Sequence, residues 1–269
     1  MSFSVLCTVT DPGGKQEQNT FTIVRCAAAN GALFPHFLKI ISPIVTALGP
    51  SPTPAAIGRA ISGLVVLFQA ISAPAKKTVQ GIWAELLLIR LSSDPRAMAT
   101  AWHRDPVEHF DFAAGPQRIE VKSSMNRKRE HFFSLEQLTS PGHSRIVVAS
   151  VFVERVGGGV SLQKLFDDTR ALLQADPQLL SRYDAVFYSS LGSGWADAMD
   201  EAFDWELATE SIAYYPAELI PRPENPTPHS VFDVRFRSDL GAVRSFASHE
   251  IQRLGGLMTS AVPALWLKA

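Results

Sequence analysis

Two short runs decide how this chain reads: His109-Phe110-Asp111-Phe112 and Arg118-Ile119-Glu120-Val121-Lys122, joined by Ala-Ala-Gly-Pro-Gln at 113–117. Side chains alternate across a strand, so Glu120 and Lys122 share a face while Ile119 and Val121 point into apolar packing. Residues 108–114 and 118–124 read as strands. A hairpin turning at Gly115–Pro116 sets Asp111 directly opposite Glu120, and a slip of two residues keeps both on one face. If these strands pair, two carboxylates and one ammonium meet at one spot. Phosphodiester hydrolysis uses that set. The carboxylates can hold a hard divalent cation, Mg²⁺ or Mn²⁺, and the cation lowers the pKa of a bound water. The ammonium can steady the attacking water or the transition state. Of the 26 acidic residues, only Glu120 is followed by lysine at the second position. The alternative is a surface hairpin whose polar face holds a solvated ion pair, since short motifs recur by chance.

Upstream, Thr78–Leu91 is apolar almost all round, the mark of a buried helix. It carries one acid, Glu85, inside Trp83-Ala-Glu-Leu-Leu-Leu88. A buried carboxylate needs a partner, and a metal ion, Lys122 or a structural arginine would each serve. Asp94–Pro95 opens a short helix through Trp102. Downstream, Arg127, Lys128 and Arg129 form a basic run able to contact phosphates, or simply a solvated loop. His131 is a phosphate or water contact or a plain histidine, and Gln137 falls on a helix after residue 133, where its plain reading is a surface glutamine. Lys122 is expected in a wet cleft.

Further out, Ser4–Thr10 and Thr20–Cys26 with Asp-Pro-Gly-Gly at 11–14 read as a hairpin. Residues 33–48 read as a helix that Pro43 kinks or divides, followed after a proline-rich connector by a buried helix over 55–72. Arg145–Val156 reads as one long strand ended by Gly157–Gly159. Ser161 caps a helix from 162, and Asp176–Pro177 opens another. Asp197, Asp200, Glu201 and Asp204 fall at helical spacing and read as a solvated face rather than a metal site. The glycines at 157–159 lack the Lys-Ser/Thr of a phosphate loop, and Ser193 lacks a nucleophile elbow's spacing. The mixed order of elements predicts an α/β or α+β fold around a mixed sheet. Boundaries fall at 1–76 (β hairpin and helical arm), 77–210 (core) and 211–269 (extension packed on the core).

The formal net charge is −1, so the chain as a whole carries no signal for nucleic acid, and any contact with a polyanion must come from a local patch, a metal ion or a partner. Cys7 and Cys26 lack zinc-ligand spacing and read as small apolar residues. The N-terminus lacks a basic region and a secretory apolar run, and Ala60–Ala75 is too short to span a bilayer comfortably, so the expected location is the cytoplasm.

The string Gly81-Ile-Trp-Ala-Glu85-Leu-Leu, Trp102-His103, Phe110-Asp111-Phe112, Ile119-Glu120-Val-Lys122-Ser-Ser and His131-Phe-Phe-Ser-Leu-Glu-Gln-Leu138 resembles a bacterial family of uncharacterised proteins grouped with the PD-(D/E)XK nucleases. Tyr214-Tyr215…Pro221 and Val231-Phe-Asp-Val234 resemble its C-terminal part more loosely. The resemblance implies a restriction-endonuclease-like core, with the Glu85 helix ahead of the sheet, Asp111 at the start of the second core strand, and Glu120 and Lys122 on the third. It implies that Asp111 and Glu120 bind metal, with Glu85 a candidate additional ligand, that Lys122 acts on the water or transition state, and that Gln137 is a candidate to face the scissile phosphate. It further implies DNA cleavage within a restriction or phage-defence system, with partner proteins supplying recognition. Phe110 stands where the motif's proline would be. The rival reading is a non-catalytic nucleic-acid-binding or scaffold subunit of such a system.

Overall fold

The computed structural model describes residues 2–25, 33–103, 110–139, 145–223 and 233–267. His109, Cys26, Val231 and Phe232 lie outside these residues. The chain opens with an antiparallel hairpin, β1 (Ser2–Thr10) and β2 (Gln16–Ile23), in which Thr10 faces Gln16. The turn closes through Gly14 N–H to the Asp11 carbonyl, 2.9 Å, with Gly14 at a positive φ of 82° that suits glycine. Helices α1 (Leu33–Leu48) and α2 (Pro54–Ile71) follow. Pro43 sits inside α1 without dividing it. The expected buried helix over 55–72 is only partly so. Among its residues Leu64 and Leu67 are buried, whereas Val65, Val66 and Phe68 face outward, because α2 packs on the rest of the fold by one face only. By length and composition α2 could cross a membrane.

The remaining elements are α3 (Val79–Leu91), α4 (Pro95–Ala101), β3 (Phe112–Ala114), β4 (Gln117–Ser124), β5 (Glu130–Ser134), β6 (Arg145–Phe152), β7 (Arg155–Ser161), α5 (Leu162–Leu173), α6 (Pro177–Leu191), α7 (Trp195–Ala198), β8 (Ala202–Phe203), α8 (Trp205–Ser211), β9 (Ala213–Pro216), β10 (Arg235–Asp239), α9 (Ser248–Gln252) and α10 (Gly256–Ala261). The central sheet has the order β3-β4-β6-β9, and it is mixed: β4 runs parallel to β6, and the two outer pairings are antiparallel. Strand β6 is buried on both faces, which explains its unbroken Ile146-Val-Val-Ala149 run. Val147, Ala149 and Val151 pack with Ile119 against the helices, among them α3, α5 and α6. Ile146 and Val148 pack the other way, with Phe133 of β5, Tyr215 of β9 and Leu240. On that second side β5 pairs with β10.

Several sequence expectations change here. The long strand over 145–156 is two strands. Gly157–Gly159 lie within β7 instead of ending it, because β7 bulges between Arg155 and Val160 opposite Phe203. A Cβ at Gly159 would stand 2.3 Å from the Phe203 carbonyl oxygen. The acids at 197–204 do not share a helix: α7 ends at Ala198, and Asp204 caps α8 by accepting the Leu207 N–H. The helix expected after residue 133 is one 3-10 turn, Leu135–Gln137.

Candidate active site

The hairpin at the sheet edge has the register that the turn dictates. Phe112 pairs with Ile119, so the next step outward sets Asp111 across from Glu120. Described as a strand, β3 begins only at Phe112. Where its ladder stops, the Asp111 carboxylate takes over as acceptor: its Oδ2 receives the Val121 N–H at 2.7 Å. Asp111 is thereby tied to the strand that carries Glu120 and Lys122.

Helix α3 brings the third carboxylate. Its interior run from Ile82 to Ile89 is wholly buried, Glu85 included. Glu85 is well supplied with partners. Its Oε1 accepts from Lys77 Nζ at 2.5 Å, and its Oε2 accepts from Trp102 Nε1 at 2.7 Å and stands 2.9 Å from His103 Nε2. Burial raises its pKa, but Lys77 and His103 more than offset this and hold it at about 2. Lys77 also donates to Asp111 Oδ1. Asp111 nevertheless has a raised pKa, from burial first and the Glu85 charge second. The two shifts oppose each other although both residues share Lys77. Glu85 keeps its charge because Lys77 and His103 both act on it at close range, whereas Asp111 shares Lys77, accepts one backbone N–H and meets His103 only at 3.9 Å.

Lys77 is held from outside the helix. Thr78 caps α3 by accepting the Gly81 N–H at 3.1 Å. The N–H groups of Lys76 and Lys77 both donate to the Ser190 carbonyl, at 3.0 and 3.2 Å. Gly192, at φ 53°, lets α6 end against this segment: a Cβ there would lie 2.3 Å from the Ala73 carbonyl oxygen.

Glu120 is buried on the face opposite Ile119. Its Oε1 accepts from Gln137 Nε2 at 2.5 Å and meets Lys122 Nζ at 2.7 Å, while its Oε2 is buried with no hydrogen-bond partner. Burial, then the neighbouring Asp111 charge, pushes its carboxyl up to about 8 against the pull of Lys122. Lys122 Nζ also donates to Gln137 Oε1 at 3.1 Å and lies 5.1 Å from the Phe133 ring centre. With 16% of its side chain exposed, Lys122 is wedged among these groups instead of standing in a wet cleft. Gln137, from the 3-10 turn, bridges acid and lysine, and it also accepts the Ser134 N–H.

The basic run lies differently. Arg127 pairs with Glu154 at 2.5 Å, and Lys128 is exposed. Arg129 turns inward to Ser150 and the Ser211 carbonyl, with its guanidinium 4.5 Å from the Phe152 ring centre. His131 is buried with Nε2 2.8 Å from Ser150 Oγ, and burial, then Lys122 and Arg129, lower its pKa to about 4. Neither Arg129 nor His131 is aimed at solvent.

Sequence reasoning missed Lys77, Trp102 and His103. Lys77 precedes the helix, so helical spacing to Glu85 gives no hint of it. The Trp-His pair ends α4, whose position on Glu85 only the packing reveals.

The donor set fits a divalent cation. Glu85, His103 and Asp111 offer one ligand atom each, all within 4.8 Å of one another. The orphaned Glu120 Oε2 is a further acceptor, and leaving it unsatisfied costs on the order of 1–3 kcal/mol. A mixed sheet whose edge hairpin carries Asp and Glu-x-Lys, backed by a helix glutamate, defines a protein of the restriction-endonuclease-like class. The chain belongs to the family described as "Putative PD-(D/E)XK family member, (DUF4420)", whose model matches residues 7–241. No curated protein and no solved structure matches it.

Proposed function

We propose that this chain is a metal-dependent nuclease that hydrolyses phosphodiester bonds in DNA as part of a restriction or phage-defence system. The observation that carries this reading is the cluster of Glu85, His103 and Asp111, whose ligand atoms lie within 4.8 Å of one another, beside the Glu120–Lys122 pair on the neighbouring strand, where one oxygen of Glu120 is buried and unclaimed. Glu85, Asp111 and Glu120 would hold the cation, Mg²⁺ or Mn²⁺. When bound, it supplies Lewis acidity and lowers the pKa of water. Lys122, fixed by Glu120 and Gln137, presents an ammonium to charge developing on the phosphate. Gln137 keeps the lysine and the acid in register.

Recognition falls to a partner protein. Non-specific DNA affinity grows with the number of free cations on the surface. Here the net charge is −1, and two members of the basic run, Arg127 and Arg129, are engaged within the chain. The isolated protein should therefore cut plain duplex DNA weakly.

The test is incubation of plasmid with the chain and Mg²⁺ or Mn²⁺, with Lys122→Ala as the control. Metal-dependent nicking by wild type, reduced about a hundredfold or more in the variant, is expected. Equal nicking by both removes Lys122 from the chemistry. Efficient wild-type cleavage alone refutes dependence on a partner.

A further inference from the structure

We infer that His103 is a metal ligand and that it makes the site selective for a transition-metal cation of the Mn²⁺ type over Mg²⁺. The inference rests on the metal site proposed above and names its ion.

His103 is one of three non-glycine residues with positive φ among the described residues, at 41°. A positive φ is uncommon outside glycine, although histidine is among the side chains that adopt it more readily. Two contacts hold it there. Its N–H donates to the Asp111 carbonyl at 2.8 Å, and Trp102, immediately before it, hydrogen-bonds Glu85. The result is an imidazole with Nε2 2.9 Å from Glu85 Oε2 and 3.9 Å from Asp111 Oδ1. Its backbone is thus anchored to one carboxylate residue and its ring to the other.

A purely structural partner for Glu85 would not need this. Lys77 and Trp102 already serve both of its oxygens. Without a metal the 2.9 Å contact needs Nε2 to donate to the Glu85 carboxylate; a cation would replace that proton, and with its remaining proton on Nδ1 the imidazole offers a nitrogen electron pair at Nε2. Independently, the buried Oε2 of Glu120 has no partner, and the Glu120 charge meets those of Asp111 and Lys77. Two carboxylates and one imidazole converge where Lys77 bridges Glu85 and Asp111 with positive charge. The Lys77 side chain is 27% exposed, unlike the two carboxylates it joins.

The donor types decide the ion. Mg²⁺ is hard, favours oxygen, and parts reluctantly with its waters. An imidazole nitrogen adds little for Mg²⁺, whereas it suits first-row transition metals, and carboxylates suit Mn²⁺.

The experiment is metal binding to the full chain without DNA. Calorimetric titrations with Mn²⁺ and Mg²⁺ are paired with pulsed EPR of the Mn²⁺ complex, which reads ¹⁴N coupling from a ligating imidazole. Wild type should bind Mn²⁺ at least about tenfold more tightly than Mg²⁺, a difference of about 1.4 kcal/mol, and show ¹⁴N modulation. In His103→Ala the preference and the modulation should both vanish while Mg²⁺ affinity stays. The EPR signal of wild type decides even if that variant does not fold. Mn²⁺ binding without ¹⁴N modulation overturns the role of His103 and leaves the carboxylate site standing. Failure to bind either ion overturns both. Cleavage plays no part in these readouts, so the metal assignment stands or falls separately from the nuclease reading, which the Lys122→Ala comparison tests.

Discussion

Replacing Lys77 with methionine keeps most of the side chain's volume and removes its charge. Lys77 is the ammonium shared by Glu85 and Asp111, whose side chains are 2% and 7% exposed. Removing one partner of a buried ion pair costs about 3–5 kcal/mol, because the charge left behind can neither reach water nor find a new partner. Lys77 is partly exposed and Glu85 retains Trp102 and His103, so the lower end, about 3 kcal/mol, applies. At roughly 2–4 °C per kcal/mol for a chain of this size, the melt in EDTA should fall by about 6–12 °C. Metal should restore it: at a free concentration of about a hundred times Kd, binding to the folded state alone contributes about 2.7 kcal/mol. Acid should help as well. Burial and the Glu85 charge already hold the Asp111 carboxyl above its ordinary value, and losing Lys77 removes an opposing pull, so the folded state binds this proton more readily than the unfolded chain and the deficit shrinks as pH falls toward the ordinary carboxylate range. The assay is a thermal melt of wild type and Lys77→Met in EDTA, with saturating Mn²⁺, and at two pH values. A variant that melts with wild type in EDTA refutes the reasoning, since Glu85 and Asp111 would then not depend on Lys77.

Other changes probe the support of the site. Gln137→Leu deprives Glu120, Lys122 and the Ser134 N–H of their shared partner; urea titration should show a loss of about 1–3 kcal/mol, and an unchanged midpoint would mean that Gln137 does not fix the pair. Buried His131 binds its proton less readily folded than unfolded, so stability is full above about pH 6.5 and is lost as pH falls toward 4, by up to about 3 kcal/mol. His131→Asn should flatten that part of the pH–stability curve, and a parallel curve would assign the acid loss elsewhere. Gly192→Ala combines a left-handed backbone with a Cβ 2.3 Å from the Ala73 carbonyl oxygen; we expect a melt several degrees lower and a faster hydrogen exchange at Lys76 and Lys77, and an unperturbed exchange pattern would show that the segment is held by other means.

The parts of the site that follow local rules were legible in the sequence. The Asp111–Glu120 register follows from the Gly115–Pro116 turn and the two-residue period, and the ladder of Phe112 on Ile119 obeys it. The burial of Glu85 follows from the apolar residues around it. Caps at Ser161 and Asp176 stand where their side chains predict. What could not be read depends on tertiary neighbours. The glycines at 157–159 look like a strand end, yet the pairing of β7 with β8 carries the strand through them. A run of apolar residues does not reveal how many faces are covered, so α2 resembles a buried helix while burying only Leu64 and Leu67 among its residues. Arg127 and Arg129 look like a free cationic patch until Glu154 and Ser150 arrive from elsewhere in the chain.

The side chains of the proposed site all come from one uninterrupted stretch, Lys77 to Gln137. Closing a chain segment costs conformational entropy that grows with the logarithm of its length, and contacts close in sequence tend to form early. Lys77 meets Glu85 across the first turns of α3, and Asp111 meets Val121 across a tight hairpin. The acids can therefore be gathered before β9, which arrives from beyond residue 210, completes the sheet. A nascent chain that brings carboxylates together this early needs an internal counter-charge from the start. Lys77, a few residues ahead of α3, leaves the ribosome before any of the acids it neutralises.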